Sequence, residues 1–89
     1  MINKVEHIGI AVADAKKANE LFEKLLGHSK YKVERVDSEG VATHFYNLNG
    51  TKIELLEPTD KNSPVAKFIE KRKEGVHHIA FYVDDLKSE

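Results

Sequence analysis

One short pattern occurs twice in the chain, and it constrains the fold more than any other feature of the sequence. The segments HIGIAVAD at positions 7–14 and HIAFYVDD at positions 78–85 lie 71 residues apart, and four of their eight positions are identical. Two buried strands that each precede a capped helix share some of these features by chance, so part of the similarity has a simple structural explanation. The more specific interpretation is a duplicated module that starts around each histidine.

The region after the first copy has the order of elements expected of one complete module. Alternating residues predict a strand at 5–12, and a following helix is predicted between an Asp14 cap and Gly27. The apolar residues at helical spacing are Ala18, Leu21, Phe22, Leu25 and Leu26. Three strands are predicted next, at 31–36, 41–48 and 51–57, and the Asn49-Gly50 pair between the last two predicts a hairpin. Together these elements form a βαβββ unit.

The region around the second copy predicts one more helix and one more strand. Ser63-Pro64 is typical of a helix start, and apolar residues follow at helical spacing, namely Val65, Phe68 and Ile69. Residues 76–83 alternate as a strand, and Asp84-Asp85 predicts the start of a further helix.

These elements predict an α+β fold with one complete module and part of another. We expect a first βαβββ module at 1–58, a connecting helix and loop at 59–75, and the first strand and helix start of a second module at 76–89. The counterpart of Glu54 in the second copy would lie beyond Glu89, so we expect the second module to be incomplete in this sequence.

Composition excludes several kinds of partner. The net charge of −1 offers no basic surface for a nucleic acid. The longest apolar stretch, at 8–13, is far shorter than the ~20 residues that cross a membrane. Charged residues close to Met1 do not fit a signal peptide, so we expect a cytoplasmic location. The sequence has no cysteine, which excludes disulfides and thiolate metal sites.

Two histidines and one glutamate are the candidate metal ligands. His7 and His78 occupy equivalent positions in the two copies, on the strand faces opposite the aliphatic residues. A single histidine on a strand is usually structural, but two at repeat-related positions favour a metal site. Glu54 adds a carboxylate within an apolar run, although a solvated edge residue is the alternative. Two imidazoles and one carboxylate suit a divalent ion such as Co²⁺, Mn²⁺, Ni²⁺ or Zn²⁺.

Other polar residues are weaker candidates. Strict alternation turns His77 away from the face of His78, and it places Glu6 on the aliphatic face. His28 is expected at the surface, and His44 is compatible with either face of its strand. The basic run at 71–73 is compatible with phosphate binding, but such a run more often lies at the solvated end of a helix.

Three segments resemble the methylmalonyl-CoA epimerase family of the vicinal oxygen chelate superfamily, which also includes glyoxalase I. They are HIGIAVAD, KIELLEP and SPVAKFIEKRKEGVHHIAFYVDD, and the last is the most specific to the epimerases. The resemblance implies paired βαβββ modules that form a cupped sheet around one divalent metal ion. It also implies an enzyme that epimerises methylmalonyl-CoA, an acyl-CoA substrate, at the carbon alpha to the thioester.

The resemblance also implies roles for individual residues. His7, Glu54 and His78 match the first three metal ligands, and Gly9 and Ala11 are expected to leave room for substrate oxygens. The fourth ligand of the family is a glutamate that also acts as an acid/base, and it would lie beyond Glu89. A second acid/base would fall near Thr43, which is not a carboxylate, so the catalytic residues are left unassigned.

Three alternatives stay open at this point. The chain could be a glyoxalase I-like lyase acting on a hemithioacetal, or a superfamily module that binds a small molecule without turnover. It could also be a half-length protein that completes its barrel with another subunit. An uncovered sheet edge invites aggregation, so we expect a homodimer rather than a monomer.

Overall fold

A computed structural model of the chain describes residues 1–84. In chain order, its elements are β1 (Ile2–Ala11), α1 (Ala15–Leu26), β2 (Lys32–Val36), a short 3-10 turn (Asp37–Glu39), β3 (Val41–Leu48), β4 (Thr51–Pro58), α2 (Pro64–Arg72) and β5 (Gly75–Val83). The strands form one sheet in the order β2-β3-β4-β1-β5. The predicted α+β class and βαβββ order are therefore confirmed. The helix predicted from Asp84-Asp85 would fall on residues 85–89, outside the described residues.

Local signals set the ends of the helices. The Asp14 carboxylate accepts a hydrogen bond from the backbone N–H of Lys17, so it caps α1 as predicted. Gly27 ends α1 with φ 81°, a conformation that glycine adopts without strain. Ser63 caps α2 in the same way, through a hydrogen bond from the backbone N–H of Ala66.

Strands β2, β3 and β4 form an antiparallel meander joined by tight turns. Asn49 and Gly50 both have positive φ, 51° and 96°, which is the turn that the sequence predicted. Strand β1 pairs in parallel with β4. Helix α1 and strands β2 and β3 form the connection between these two strands. Strand β1 lies in the interior of the sheet, between β4 and β5.

In the antiparallel pairing of β1 with β5, a local two-fold axis relates the two copies of the sequence repeat. Ile8 lies opposite Ile79, which is its own counterpart in the second copy. The neighbouring pairs are exchanged by the same axis: His7 lies opposite Ala80, and Gly9 lies opposite His78. The two copies of the repeat therefore meet side by side at the centre of the strand pair.

Two of the three register irregularities in this pairing are also related by the axis. The first shift lies between Val5 and His7 of β1, which pair with the adjacent residues Phe81 and Ala80 of β5. The second lies between His78 and Val76 of β5, which pair with the adjacent residues Gly9 and Ile10 of β1. Each shift leaves one extra residue, Glu6 on β1 and His77 on β5, as in a β-bulge. Glu6 and His77 are themselves equivalent positions of the repeat.

The two faces of the sheet bury different sets of residues. Helix α1 covers one face, where Tyr46 and Leu55 are fully buried with Val12 and Ile53. Helix α2 covers one end of the opposite face, where Val65 packs on Ala11, Val41 and Leu56. The rest of that second face carries the two histidines of the repeat, and we call it the cup face.

Some residues that the pattern assigned to a buried face are exposed. Leu21 and Leu25 of α1 are 53% and 67% exposed, because they lie at the margin of the apolar stripe rather than over the sheet. The apolar face of β5 is also about half exposed, at Ile79, Phe81 and Val83. Among the described residues no helix covers that face, since the core under α1 is built from β1, β3 and β4. No described helix is long and apolar enough to span a membrane.

Tyr46 gives this fold a specific sensitivity to alkali. Its hydroxyl donates to Asn19 Oδ1 at 2.5 Å, and burial raises the pKa of the phenol above its usual value. Above about pH 10, unfolded chains release the tyrosine proton before folded ones do, so the free energy of unfolding should fall as the pH rises.

We therefore expect Tyr46→Phe to cost about 1 kcal/mol at neutral pH, through the lost hydrogen bond, and to flatten the decline above about pH 10. Urea unfolding across that range measures both effects. Tyr31→Phe is a suitable control because Tyr31 is 52% exposed. Equal slopes for the wild type and Tyr46→Phe would contradict the assignment.

Candidate metal centre

The three candidate ligands come together on the cup face. His7 on β1, Glu54 on β4 and His78 on β5 each offer one ligand atom, and these atoms lie within 4.8 Å of one another. All three residues are partly buried, so the cluster keeps some contact with solvent. Among the described residues, this is the group of histidine and acidic side chains with the spacing of a metal site.

The two histidines present the same ring atom to the same point. His7 Nε2 lies 2.9 Å from His78 Nε2, and the rings meet edge to face at 87°. Two nitrogens bound at right angles to one ion, each at about 2.1 Å, would lie about 3.0 Å apart. The observed separation fits that arrangement.

Gly9 is what allows His78 to reach this position. A Cβ at residue 9 would lie only 2.7 Å from both ring nitrogens of His78, because the ring covers the glycine. The expectation that Gly9 and Ala11 leave room for substrate oxygens is therefore wrong. The imidazole fills the space above Gly9, and Ala11 is buried beneath α2.

The side chain of Glu54 has little contact with solvent. Its neighbours in register are Gly9 on β1 and Phe45 on β3, and its side chain is 14% exposed. Burial raises the pKa of the Glu54 carboxyl, while the nearby His7 acts in the opposite direction. One carboxylate oxygen lies 3.7 Å from His7 Nδ1. A cation at this point would compensate the cost of holding that carboxylate charge away from water.

Glu6 belongs to the site, although strict alternation placed it on the aliphatic face. The bulge turns its side chain to the cup face, where one carboxylate oxygen hydrogen-bonds His7 Nδ1. The other oxygen pairs with Lys52 Nζ at 3.1 Å. These contacts, first with His7 and then with Lys52, lower the pKa of the Glu6 carboxyl, so it is ionised at neutral pH.

His77 also differs from the expectation that it turns away from His78. Its Nδ1 lies 2.9 Å from His78 Nδ1, and its ring packs edge to face on Phe68 of α2. Burial, followed by the proximity of His7 and His77, lowers the pKa of His78. His78 is therefore held as the neutral imidazole, which is the form that binds metal.

The two remaining histidines lie outside the cluster. His28 is exposed just after α1, as predicted. His44 faces α1 and is buried, with Nδ1 3.3 Å from the Asn19 amide nitrogen and Nε2 3.2 Å from a Glu57 carboxylate oxygen. The described residues thus include a carboxylate–histidine pair, His44 with Glu57, on the opposite face of the sheet from the cluster.

A groove of about 430 Å³ adjoins the cluster on the cup face. It lies between His77 and His78 on one side and the start of α2 on the other. Its charged rim residues other than histidine are Glu39 and Asp60. This groove suits an uncharged part of a ligand better than a phosphate, because both rim residues are acidic.

The cluster includes neither Thr43 nor the basic run at 71–73. Thr43 is buried on β3 opposite Leu56, so the described cup face has no carboxylate at that position. The basic run at 71–73 is exposed at the end of α2, as a solvated helix end would be.

Comparisons with known proteins agree with this geometry. A sequence profile of the Glyoxalase/Bleomycin resistance protein/Dioxygenase superfamily matches residues 6–89. Human mitochondrial methylmalonyl-CoA epimerase is 36% identical over 88 residues, which cover 98% of this chain and 50% of that protein. The chain therefore spans about half the length of this curated relative.

Solved structures give the same result. The methylmalonyl-CoA epimerase of Mycobacterium tuberculosis is 32% identical with a TM-score of 0.83, over 98% of this chain and 59% of that one. A Streptomyces coelicolor methylmalonyl-CoA epimerase in complex with 2-nitronate-propionyl-CoA is 32% identical with a TM-score of 0.80. That match covers 99% of this chain and 67% of the other.

Proposed function

The chain belongs to the Glyoxalase/Bleomycin resistance protein/Dioxygenase superfamily, and from that membership we propose that it is part of a metal-dependent methylmalonyl-CoA epimerase. The reaction inverts the carbon alpha to the thioester by removing its proton and returning one on the other face. The observation that carries the proposal is the convergence of His7, Glu54 and His78 in a chain similar to epimerases.

His7, Glu54 and His78 are the proposed ligands of a divalent ion. Two imidazoles and one carboxylate suit Co²⁺, Mn²⁺, Ni²⁺ or Zn²⁺, and they leave further positions for other ligands. An ion bound there would act as a Lewis acid on the thioester oxygen, which lowers the energy of the enolate left by proton removal.

The other residues of the cup face would position the substrate and keep water from part of it. The groove beside His78 is the proposed place for the uncharged part of the acyl-CoA, because its rim is acidic. No residue of 1–89 is assigned as the acid/base. We propose that the glutamate with that role lies in a second module, in keeping with relatives longer than this chain.

The wider organisation is part of the same proposal. Residues 1–58 would be the first module, 59–75 the connection and 76–89 the beginning of the second module. The two-fold axis between β1 and β5 supports this division, because it relates the two copies of the repeat. We further propose a homodimeric cytoplasmic enzyme.

The test is isotope exchange with the protein expressed from the complete reading frame that contains this chain. After loading with Co²⁺, it is incubated with (2S)- or (2R)-methylmalonyl-CoA in D₂O, and NMR follows deuterium at the 2-carbon. We expect exchange together with inversion, and we expect chelation to abolish both. A Glu54→Ala variant, which removes a proposed ligand, should lose the exchange.

Other outcomes would overturn the proposal in distinguishable ways. A metal-loaded protein that leaves the 2-proton in place but converts the hemithioacetal of methylglyoxal and glutathione would be a glyoxalase I-like lyase. Tight binding of a small ligand without any turnover would identify a binding module instead.

Gly9→Ala is expected to lower Zn²⁺ affinity without lowering the stability of the fold. The added methyl group would displace the His78 ring, and we expect Zn²⁺ affinity to fall about 10-fold, as for the loss of a supporting contact. The backbone at residue 9 is not in the left-handed region, so the fold should be little affected.

Gly27→Ala is the matched control for this prediction. Nothing lies within 4 Å of its added Cβ, but its φ of 81° disfavours any side chain. We expect it to cost about 1 kcal/mol of stability and to leave Zn²⁺ affinity unchanged. Calorimetric titration and urea unfolding of both variants check the two opposite patterns.

A further inference from the structure

Each candidate histidine ligand is preceded by a residue that contacts its Nδ1. Glu6 contacts His7 Nδ1, and His77 contacts His78 Nδ1. Both residues occupy β-bulges, and the bulges are exchanged by the local two-fold axis. Without the bulges, strict alternation would turn Glu6 and His77 to the other face of the sheet.

We propose that Glu6 and His77 are positioning residues that hold the two imidazole rings by Nδ1, so that both Nε2 atoms face one point. This inference rests on the proposed metal site, which supplies the reason for the convergence. A histidine that binds metal through one nitrogen commonly engages a carboxylate or another acceptor through the other. The contact to Nδ1 occurs in both copies of the repeat, from a glutamate in the first and from a histidine in the second.

With all three rings in the neutral form, the hydrogen-bond pattern fixes their tautomers. An ionised carboxylate only accepts, so His7 donates from Nδ1 to Glu6 and its Nε2 carries a lone pair. His78 then donates from Nε2 to His7 Nε2, and His77 donates from Nδ1 to His78 Nδ1. His7 is thus already in the tautomer that a metal requires, whereas His78 is not.

Metal binding should therefore change the tautomer of His78 and leave that of His7 unchanged. For Nε2 of His78 to bind an ion, its proton must be on Nδ1 instead, where it can be donated to His77 Nδ1. His77 would then carry its own proton on Nε2. His7 should keep the same tautomer throughout, because Glu6 fixes it in both states.

Imidazole ¹⁵N NMR of the protein expressed from the complete reading frame that contains this chain, with and without Zn²⁺, tests this directly. We expect His7 to be Nδ1–H in both states, while His78 changes from Nε2–H to Nδ1–H when Zn²⁺ is added. In Glu6→Ala, His7 should become a mixture of tautomers without Zn²⁺, and Zn²⁺ affinity should fall about 10- to 100-fold. His77→Phe keeps a ring against Phe68 but removes Nδ1, and we expect a loss of about 10-fold.

Two further variants make the result specific. Glu6→Gln retains a carbonyl acceptor and should restore the His7 tautomer in part, which a general loss of folding would not do. Glu57→Gln disturbs the carboxylate–histidine pair at His44 on the other face and should leave Zn²⁺ affinity unchanged. Circular dichroism establishes that each variant is folded.

The outcomes separate this inference from the proposed function. An unchanged His7 tautomer and unchanged Zn²⁺ affinity in Glu6→Ala would overturn the positioning role, whatever the enzyme does. Absence of Zn²⁺ binding in the wild type would overturn the proposed metal site. The tautomer of His7 without metal, compared between the wild type and Glu6→Ala, would still decide whether Glu6 orients that ring.

Discussion

Replacing His78 with alanine is expected to weaken the binding of Zn²⁺ or Co²⁺ by more than about 100-fold. Loss of a residue that merely supports a ligand costs about 10- to 100-fold, and loss of a ligand itself should cost more. The fold should tolerate the change, because His78 is only partly buried and the space that opens lies above Gly9. Calorimetric titration of metal into the folded variant measures the affinity.

His28→Ala is the matched control for His78→Ala. His28 is exposed outside the cluster and hydrogen-bonds the neighbouring Ser29 carbonyl oxygen, so its removal should not alter metal affinity. If His78→Ala and His28→Ala bind Zn²⁺ equally well, the cluster on the cup face is not the metal centre.

Leu55→Ala is expected to lower the free energy of unfolding by about 2–5 kcal/mol. Leu55 is fully buried beneath α1, and the cavity left by truncation would be enclosed by the sheet and the helix. A domain of this size has little stability to lose, since the total is about 5–15 kcal/mol for typical proteins. Urea unfolding followed by circular dichroism measures the loss.

Leu25→Ala tests whether the stability loss at Leu55 comes from its buried position rather than from the change of leucine to alanine. Leu25 is 67% exposed, so its truncation should change stability by less than about 0.5 kcal/mol. Neighbouring residues of β4 face opposite sides of the sheet, with Leu55 under α1 and Glu54 in the cluster. Folded Leu55→Ala protein should therefore bind Zn²⁺ nearly as well as the wild type, and equal stability losses at Leu25 and Leu55 would contradict the fold.

Features that depend on local chemistry were predictable from the sequence. The Asp14 cap, the Gly27 end of α1 and the Asn49-Gly50 turn each depend on a few adjacent residues. The candidate ligands were also predictable, because the repeat selects His7 and His78 from five histidines. Their meeting point could be expected only from the family resemblance, since the repeat itself does not state how β1 and β5 pair.

The bulges were not predictable from alternation. A strand is expected to turn successive residues to opposite faces, and that rule placed Glu6 and His77 away from the ligands. An extra residue in one strand of a pair changes the face locally, and nothing in the composition of either segment marks it. The equivalence of positions 6 and 77 in the repeat was a signal that could have linked these two residues.

The exposed apolar residues show a second limit of pattern analysis. Periodicity indicates which residues share a face, but it does not show whether another element covers that face. Ile79 alternates as a buried strand residue does, yet it is 48% exposed, because α1 packs over β1, β3 and β4. Leu21 has helical spacing but lies at the margin of the stripe.

The interior position of β1 also affects the order in which the protein folds. The β2–β4 meander is joined by short turns and can form from neighbouring segments, whereas β1 must find partners far along the chain. His7 and His78 are separated by 71 residues, and contacts at such separations form slowly. We therefore expect the ligand cluster to assemble after the folding transition state. A bound ion should then slow unfolding while leaving the folding rate almost unchanged.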